Sequence, residues 1–133
     1  MSTAPMNVQS AQDINAAVHA HMAWKRRIRE VIDGSSTESL SPENLAMDNQ
    51  CVLGKWIYEQ GAKVFGNEPK YQQLRAVHAH FHVCAAAALT QAQEGLRRQA
   101  LENIETGDMA AVSRDTVNCL TQMYQKARQA SKA

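Results

Sequence analysis

The segment HAHFHVC, residues 78–84, contains three of the five histidines in the 133-residue chain. His78 and His82 are four residues apart, so on a helix their imidazoles project from one face and can reach a single metal ion. His80 lies between them and points about 200° away around the helix axis, toward solvent. The alternative for a histidine on a core-facing seam is a neutral ring bonded to a backbone carbonyl or to water. The pair alone leaves both interpretations open.

Two further candidates lie earlier in the chain. His21 falls on an apolar helical seam, whereas His19 does not. Cys51 begins the stretch CVLGKW, in which Gly54 allows a close approach between helices. Three neutral imidazoles and one thiolate form a closed tetrahedral set that suits zinc. For Cys51 alone, the alternative is a small buried thiol that only fills space.

Four helical stretches must position these residues. The first runs from Asp13 to Asp33 and is ended by Gly34, and its seam alternates steps of three and four residues. The second begins near Ser41-Pro42, and a break at residues 47–50 would divide it into two short helices. The seams of the first and second stretches contain Ile14, Ala17, His21, Trp24, Ile28 and Val31, then Leu45, Cys51, Leu53 and Trp56.

The third stretch opens at Glu68-Pro69, and the fourth follows a break at Gly107-Asp108. Their seams contain Leu74, His78, Phe81, Ala85, Ala88 and Ala92, then Val112, Thr116, Cys119, Met123 and Ala130. Short links make consecutive helices antiparallel neighbours. The sequence therefore predicts an all-α fold, an antiparallel four-helix bundle, with a single domain over residues 1–133 and a core of about 10–130.

Charge and composition exclude several classes of protein. Fourteen basic and thirteen acidic residues give no electrostatic surface for nucleic acid or an anionic membrane. No apolar run approaches the roughly 20 residues of a membrane span, so no membrane insertion is expected. The beginning of the chain lacks the basic and apolar regions of a signal peptide. Three widely spaced cysteines do not resemble a disulfide framework, which favours the cytoplasm.

The remaining reactive residue types support no enzyme. The sequence shows no Ser/His/Asp set, glycine-rich phosphate loop or pair of carboxylates in a cleft. Cys84 and Cys119 are interpreted as packed thiols, and the basic run WKRR (24–27) as a solvated helix face offset by nearby acids. Trp24 and Trp56 are either ordinary core aromatics or a dry wall beside a metal.

Three motifs occur in order along the chain: HMAWKRRI (21–28), CVLGKW (51–56) and HAHFH (78–82). They resemble the signature motifs of the chemoreceptor zinc-binding (CZB) domain family, which are a histidine followed by W-K/R, then C-x-L/F-G-x-W, then H-x-x-x-H. The resemblance covers about residues 10–130. It implies a four-helix bundle in which His21, Cys51, His78 and His82 bind one Zn²⁺.

Family members are regulatory modules attached to bacterial chemoreceptors and diguanylate cyclases, and they are commonly dimeric. The resemblance therefore implies a cytoplasmic, homodimeric sensory domain in chemotaxis or related signal transduction. Its input would be zinc, an oxidant such as hypochlorite acting on the Cys51 thiolate, or both. The sequence shows no receptor hairpin or cyclase segment, so a free-standing member or a domain separated from its signalling partner is expected.

Two alternatives stay open at this stage. The first is a di-iron bundle of the hemerythrin kind, which needs carboxylates on the inward helix faces, for example in a Glu-x-x-His motif. The nearest acid before His78 on its helix is Glu68, which does not match that offset. The second is a purely structural dimerisation module in which zinc only staples the fold.

Overall fold

The computed structural model describes residues 6–130, and within that range the chain forms helices and no strand. Three long helices of 26, 25 and 23 residues form the frame. Four shorter helices complete it. In chain order the helices are α1 (Val8–Asp33), α2 (Pro42–Leu45), α3 (Val52–Tyr58), α4 (Gln60–Phe65), α5 (Pro69–Gln93), α6 (Arg97–Glu105) and α7 (Asp108–Ala130).

The ends of the long helices follow local sequence signals. α1 begins after Asn7, whose side chain accepts the Ser10 amide at 3.1 Å while the Ser10 hydroxyl accepts the Asn7 amide at 3.2 Å. This capping box satisfies two amides that have no partner within the helix, so α1 starts at Val8 and not at Asp13 as predicted. It ends at Gly34, whose φ of 86° lies in the left-handed region that glycine adopts most readily.

The three long helices run up and down beside one another. The Lys126 ammonium, near the end of α7, lies 2.7 Å from the Glu68 carboxylate at the start of α5, so these helices are antiparallel. The start of α1 packs with the end of α7 in one apolar cluster, so α1 and α7 are antiparallel as well. This confirms the predicted all-α fold and four-helix bundle.

Short helices take the place of the fourth long one. The predicted break in the second stretch is present, since α2 ends at Leu45 and α3 begins only at Val52. A further break at Glu59, where φ is −116° and ψ is −96°, separates α3 from α4. The sequence did not predict α6, which packs against α5, α7 and α1. None of the helices in the described part of the chain is both long and apolar enough to cross a bilayer.

Apolar residues form two clusters, one toward each end of the bundle. The first contains Ile14, Leu74 and Leu120, and the second contains Ile28, Phe81 and Met109. Between them along α1, α5 and α7 lies a layer of buried polar side chains. We call this the polar layer; it consists of His21, His78, His82, Ser113 and Thr116.

Candidate metal centre

Cys51 reaches the polar layer from the loop before α3. It is the N-cap residue of that helix, and its Sγ accepts a hydrogen bond from the Gly54 amide at 3.3 Å. A Cβ on residue 54 would lie 1.8 Å from the carbonyl oxygen of Asp48. Gly54 is therefore needed because the loop backbone folds directly onto the first turn of α3. The close approach at Gly54 is thus between the loop and its own helix, and not between two helices as the sequence predicts.

His78 and His82 project from the same face of α5, as their spacing predicted. Their Nε2 atoms are 3.1 Å apart, and Cys51 Sγ lies 3.4 Å from each of them. In residues 6–130, this is the one group of three or more His, Cys, Asp or Glu side chains whose donor atoms all lie within 4.8 Å of one another. Two imidazole nitrogens and one sulfur thus converge on a common point.

The orientation of the His82 ring is fixed by α2. Its Nδ1 lies 2.8 Å from the carbonyl oxygen of Leu45, which can only accept, so Nδ1 carries the hydrogen. Burial lowers the pKa of His82, although the Leu45 carbonyl partly opposes this shift. In the neutral ring Nε2 must then present its lone pair to Cys51 and His78. A second partner that sets the tautomer in this way is characteristic of metal-binding histidines.

His78 is fully buried and has a partner on one side only. Its Nδ1 has no hydrogen-bond partner within the described residues, and its Nε2 faces His82 and Cys51. Burial, reinforced by His82 and His21, lowers the pKa of His78 to about 3. The ring is therefore neutral at pH 7, which is the form that coordinates a metal.

The pKa of Cys51 is shifted in the opposite direction from the pKa values of the histidines. Burial raises the pKa of its thiol, and the hydrogen bond from the Gly54 amide offsets only part of that rise. Without a cation nearby, the group is therefore a thiol at neutral pH. Because a metal ligand must be a thiolate, binding at this point requires the loss of one proton.

His21 is beside this group but outside it. The side chain is buried, and its ring centroid is 4.6 Å from that of Phe81. Its Nε2 lies 2.9 Å from the hydroxyl of Ser113 on α7. Burial, with help from Lys25 and His82, lowers the pKa of His21 to about 4, so it too is neutral at pH 7. Of the four predicted site residues, the structure brings three together and places the fourth next to them.

A cleft of about 770 Å³ opens onto the centre. Its walls come from the middle of α1, from residues 39–45, from the loop that leads into α3 and from His82 of α5; they include His21, Trp24, Leu40, Met47 and Cys51. Cys51 is half-buried, in contrast to the fully buried His78. Cys51 therefore borders the open cleft, whereas His78 does not.

The other candidates take structural positions. His19 and His80 are exposed, and Cys84 and Cys119 are buried, as predicted; the two cysteines lie in opposite apolar clusters. Trp24 lines the cleft, whereas Trp56 packs against Phe65 with tilted rings whose centroids are 5.9 Å apart.

In the basic run, the Arg27 guanidinium forms an exposed ion pair with Glu38 and lies 4.4 Å from the Trp24 ring. The run is thus a solvated helix face, as its composition suggested.

Two groups that form hydrogen bonds to the histidines of the site, the Leu45 carbonyl and the Ser113 hydroxyl, were not predicted from the sequence. The Leu45 carbonyl belongs to the backbone, which every residue has, so the residue type at this position gives no indication of its role. Ser113 did leave a signal: it lies four residues after Met109 and three before Thr116, on the buried face of α7. A serine at such a position must find a partner, and its partner here is a predicted metal ligand.

Taken together, these observations define an all-α protein in which one thiol and two imidazoles form a group that could hold a metal ion. Comparison with protein families identifies the chemoreceptor zinc-binding domain in residues 21–89, a span that covers more than half of the chain and includes all four predicted site residues. The chain belongs to this family, which is a family of regulatory sensory domains. Comparisons with curated proteins and with solved structures gave no significant match.

Proposed function

We propose that this chain is a zinc-binding regulatory domain that holds one Zn²⁺ through Cys51, His78 and His82, with His21 as the fourth ligand. The observation that carries the proposal is the convergence of Cys51 Sγ with two imidazole Nε2 atoms at 3.1–3.4 Å. The membership of the chain in a zinc-binding family supports the choice of metal.

The chemistry of the donors fits zinc. Two nitrogens whose lone pairs can face one another at 3.1 Å repel unless a proton or a cation lies between them. Burial keeps both rings neutral, so a cation satisfies them without displacing protons from the imidazoles. Sulfur and imidazole together are typical zinc ligands, whereas a di-iron centre needs carboxylates. The donor group in the described residues contains none, which favours zinc over the hemerythrin-like alternative.

Bound zinc would keep Cys51 in its thiolate form and would join the beginning of α3 to the middle of α5. A thiolate is the form that oxidants attack, and Cys51 faces the cleft. Loss of this ligand would free the loop of residues 46–51, which Gly54 and the Cys51 sulfur hold against α3. Zinc level and oxidants thus act on the same loop, and a four-ligand site leaves no position for hydrolytic water.

The output we propose is signalling to a bacterial partner such as a chemoreceptor or a diguanylate cyclase, with the domain acting as a homodimer in the cytoplasm. Its three free cysteines fit a reducing compartment. A change in the arrangement of the helices is the signal that a partner can detect.

The test combines metal content with oxidant response. Native mass spectrometry of the purified protein should show one zinc per chain, and Cys51→Ala should weaken zinc binding and abolish zinc release by hypochlorite. Cys84→Ala, which removes a buried thiol outside the centre, is the matched control and should behave as the wild type. If Cys51→Ala leaves both zinc affinity and oxidant response unchanged, the proposal is wrong.

A structural staple predicts a different result. If zinc only held the fold together, a chelator would unfold the whole chain and no folded metal-free state would exist. A regulatory domain must remain folded in both states. Circular dichroism with and without chelator therefore separates the two functions.

A further inference from the structure

Ser113 on α7 forms a hydrogen bond with a candidate zinc ligand. It is buried in the polar layer, and its hydroxyl lies 2.9 Å from Nε2 of His21, which is 92 positions earlier in the chain. The three clustered donors come from the loop before α3 and from α5. α7 therefore supplies no member of that cluster, and its hydrogen bond to the centre runs through His21.

The position of His21 requires an explanation because the other donors already converge. Cys51, His78 and His82 lie within 3.4 Å of one another, while His21 stays outside the group with its Nε2 on Ser113. It nevertheless borders the same cleft as Cys51 and His82. The ring thus borders the same cleft as the cluster, while its Nε2 is bonded to a different helix.

We infer that Ser113 is a positioning residue that competes with the metal centre for His21. One ring nitrogen cannot bond a hydroxyl and coordinate a cation at the same time. His21 therefore leaves Ser113 when it becomes the fourth ligand through Nε2, and it returns to Ser113 when it is released. This inference rests on the proposed function and adds to it a coupling between zinc occupancy and α7.

The serine hydroxyl has an alternative partner once His21 leaves. One turn further along the same helix, the Thr116 hydroxyl donates to the carbonyl of Val112, four residues earlier, at 2.9 Å. The equivalent acceptor for Ser113 is the carbonyl of Met109. Such bonds from a hydroxyl to its own helix often bend the helix. The exchange of hydrogen-bond partners by Ser113 would therefore change the backbone geometry of α7.

α7 is well placed to transmit this change. It packs against α1, α5 and α6, and its far end is tied to the start of α5 by Lys126 and Glu68. A small bend near Ser113 alters the contacts of the whole helix with the bundle. A partner that binds α7 could therefore distinguish the two states of His21.

Zinc affinity of Ser113→Ala tests the inference, measured by competition with a chromogenic chelator. Removing a competing hydrogen bond should tighten zinc binding by roughly three- to tenfold, which is the usual contribution of a neutral hydrogen bond. Thr116→Val is the matched control, because it removes a buried hydroxyl of α7 that bonds its own helix and should leave the affinity unchanged. Unchanged or weaker binding in Ser113→Ala would overturn the inference.

A double-mutant cycle with His21→Ala identifies the route of the effect. The single variant His21→Ala should weaken zinc binding, and Ser113→Ala should have no further effect in that background. If His21→Ala binds zinc as tightly as the wild type, His21 is not the fourth ligand and the inference fails, while zinc binding by Cys51, His78 and His82 stands. If the wild type itself binds no zinc, it is the proposed function that fails, so the two failures are distinguishable.

Hydrogen exchange supplies a readout that does not depend on affinity. Addition of zinc to the wild type should change the exchange rates of amides around residues 109–117 of α7, and this change should be lost in Ser113→Ala. Identical exchange in α7 with and without zinc would contradict the proposed coupling.

Discussion

The two apolar clusters and the polar layer between them are buried to the same degree but are stabilised in opposite ways. Residues such as Ile14 and Leu120 stabilise the fold through the apolar area that they remove from water, which contributes about 1.5–3 kcal/mol for each large side chain. His21, His78 and His82 are just as inaccessible, yet a buried polar group that lacks a partner costs about 1–3 kcal/mol. The clusters therefore stabilise the bundle in every state, whereas the polar layer stabilises it only when its donors are satisfied.

This difference explains how one small domain can be both stable and responsive. The apolar clusters lie on both sides of the layer and fix the positions of α1, α5 and α7. The ligands are thereby held near one another even without metal. The free energy of metal binding then changes the stability of the layer and of the loop that carries Cys51, while the frame persists.

Acid should produce the largest difference between the polar layer and the apolar clusters, because only the layer contains histidines whose protonation changes the free energy of unfolding. In the metal-free protein the pKa of His78 is lowered to about 3 and that of His21 to about 4, from about 6.5 when unfolded. The unfolded chain therefore binds more protons below pH 6.5, so stability is retained above that pH and is lost as the pH falls toward 4. The slope approaches about 1.4 kcal/mol per pH unit for each histidine within this window.

Urea denaturation of chelated protein at several pH values measures this slope. His21→Gln removes one of the buried rings and should flatten the dependence between pH 6.5 and 4. An equal slope in the variant and the wild type would mean that the histidines of the layer do not control acid stability.

Zinc should stabilise the folded protein by about 4 kcal/mol when its free concentration is a thousand times the dissociation constant. Thermal unfolding with zinc and with chelator gives the difference. The gain should be largely lost in Cys51→Ala and retained in Cys84→Ala. If the unfolding temperature of the wild type does not depend on zinc, the polar layer does not gain stability from the metal and does not differ from the apolar clusters in this respect.

A cavity in an apolar cluster should lower the stability of the protein by the same amount with and without zinc, in contrast to changes in the polar layer. Leu120→Ala removes a fully buried side chain and should destabilise the protein by about 3 kcal/mol, with and without zinc alike. Zinc affinity should change little, because residue 120 is outside the donor group. A loss confined to the zinc-free form would show that the clusters and the layer are not independent. Chemical denaturation in both forms makes this comparison.

Gly54→Ala tests the smallest effect, the positioning of Cys51. The added Cβ would overlap the carbonyl of Asp48, so the loop must shift and carry the sulfur with it. We expect zinc affinity to fall by roughly tenfold, in the range of the overpacking penalty. Gly95→Ala is the control: a Cβ there contacts nothing within 4 Å, and the φ of 86° makes alanine strained, so this variant should lose stability without any change in zinc affinity. Equal zinc affinity in Gly54→Ala and the wild type would show that the loop does not position Cys51.

Local signals made much of the arrangement predictable. The spacing of His78 and His82 placed both rings on one face of α5, and the motif around Cys51 supplied the third donor. The breaks at Gly34 and Gly107 followed from residue type. By contrast, α6 has only Ala100 and Ile104 buried, too few apolar residues for a clear helical seam.

The hydrogen bonds that complete the site could not be predicted in the same way. The bond from His82 to the Leu45 carbonyl depends on where α2 lies against α5. The contact between His21 and Ser113 depends on the register of α1 against α7, across 92 residues of sequence. Periodicity gives the buried face of each helix but not the register between faces, so these partners appear only in three dimensions.

X-ray absorption at the zinc edge of the zinc-loaded protein is the most direct test of the central claim. We expect one sulfur at about 2.3 Å and three nitrogens at about 2.0–2.1 Å, with the sulfur lost in Cys51→Ala. A spectrum without a sulfur shell in the wild type, or one with an oxygen-rich shell, would contradict it.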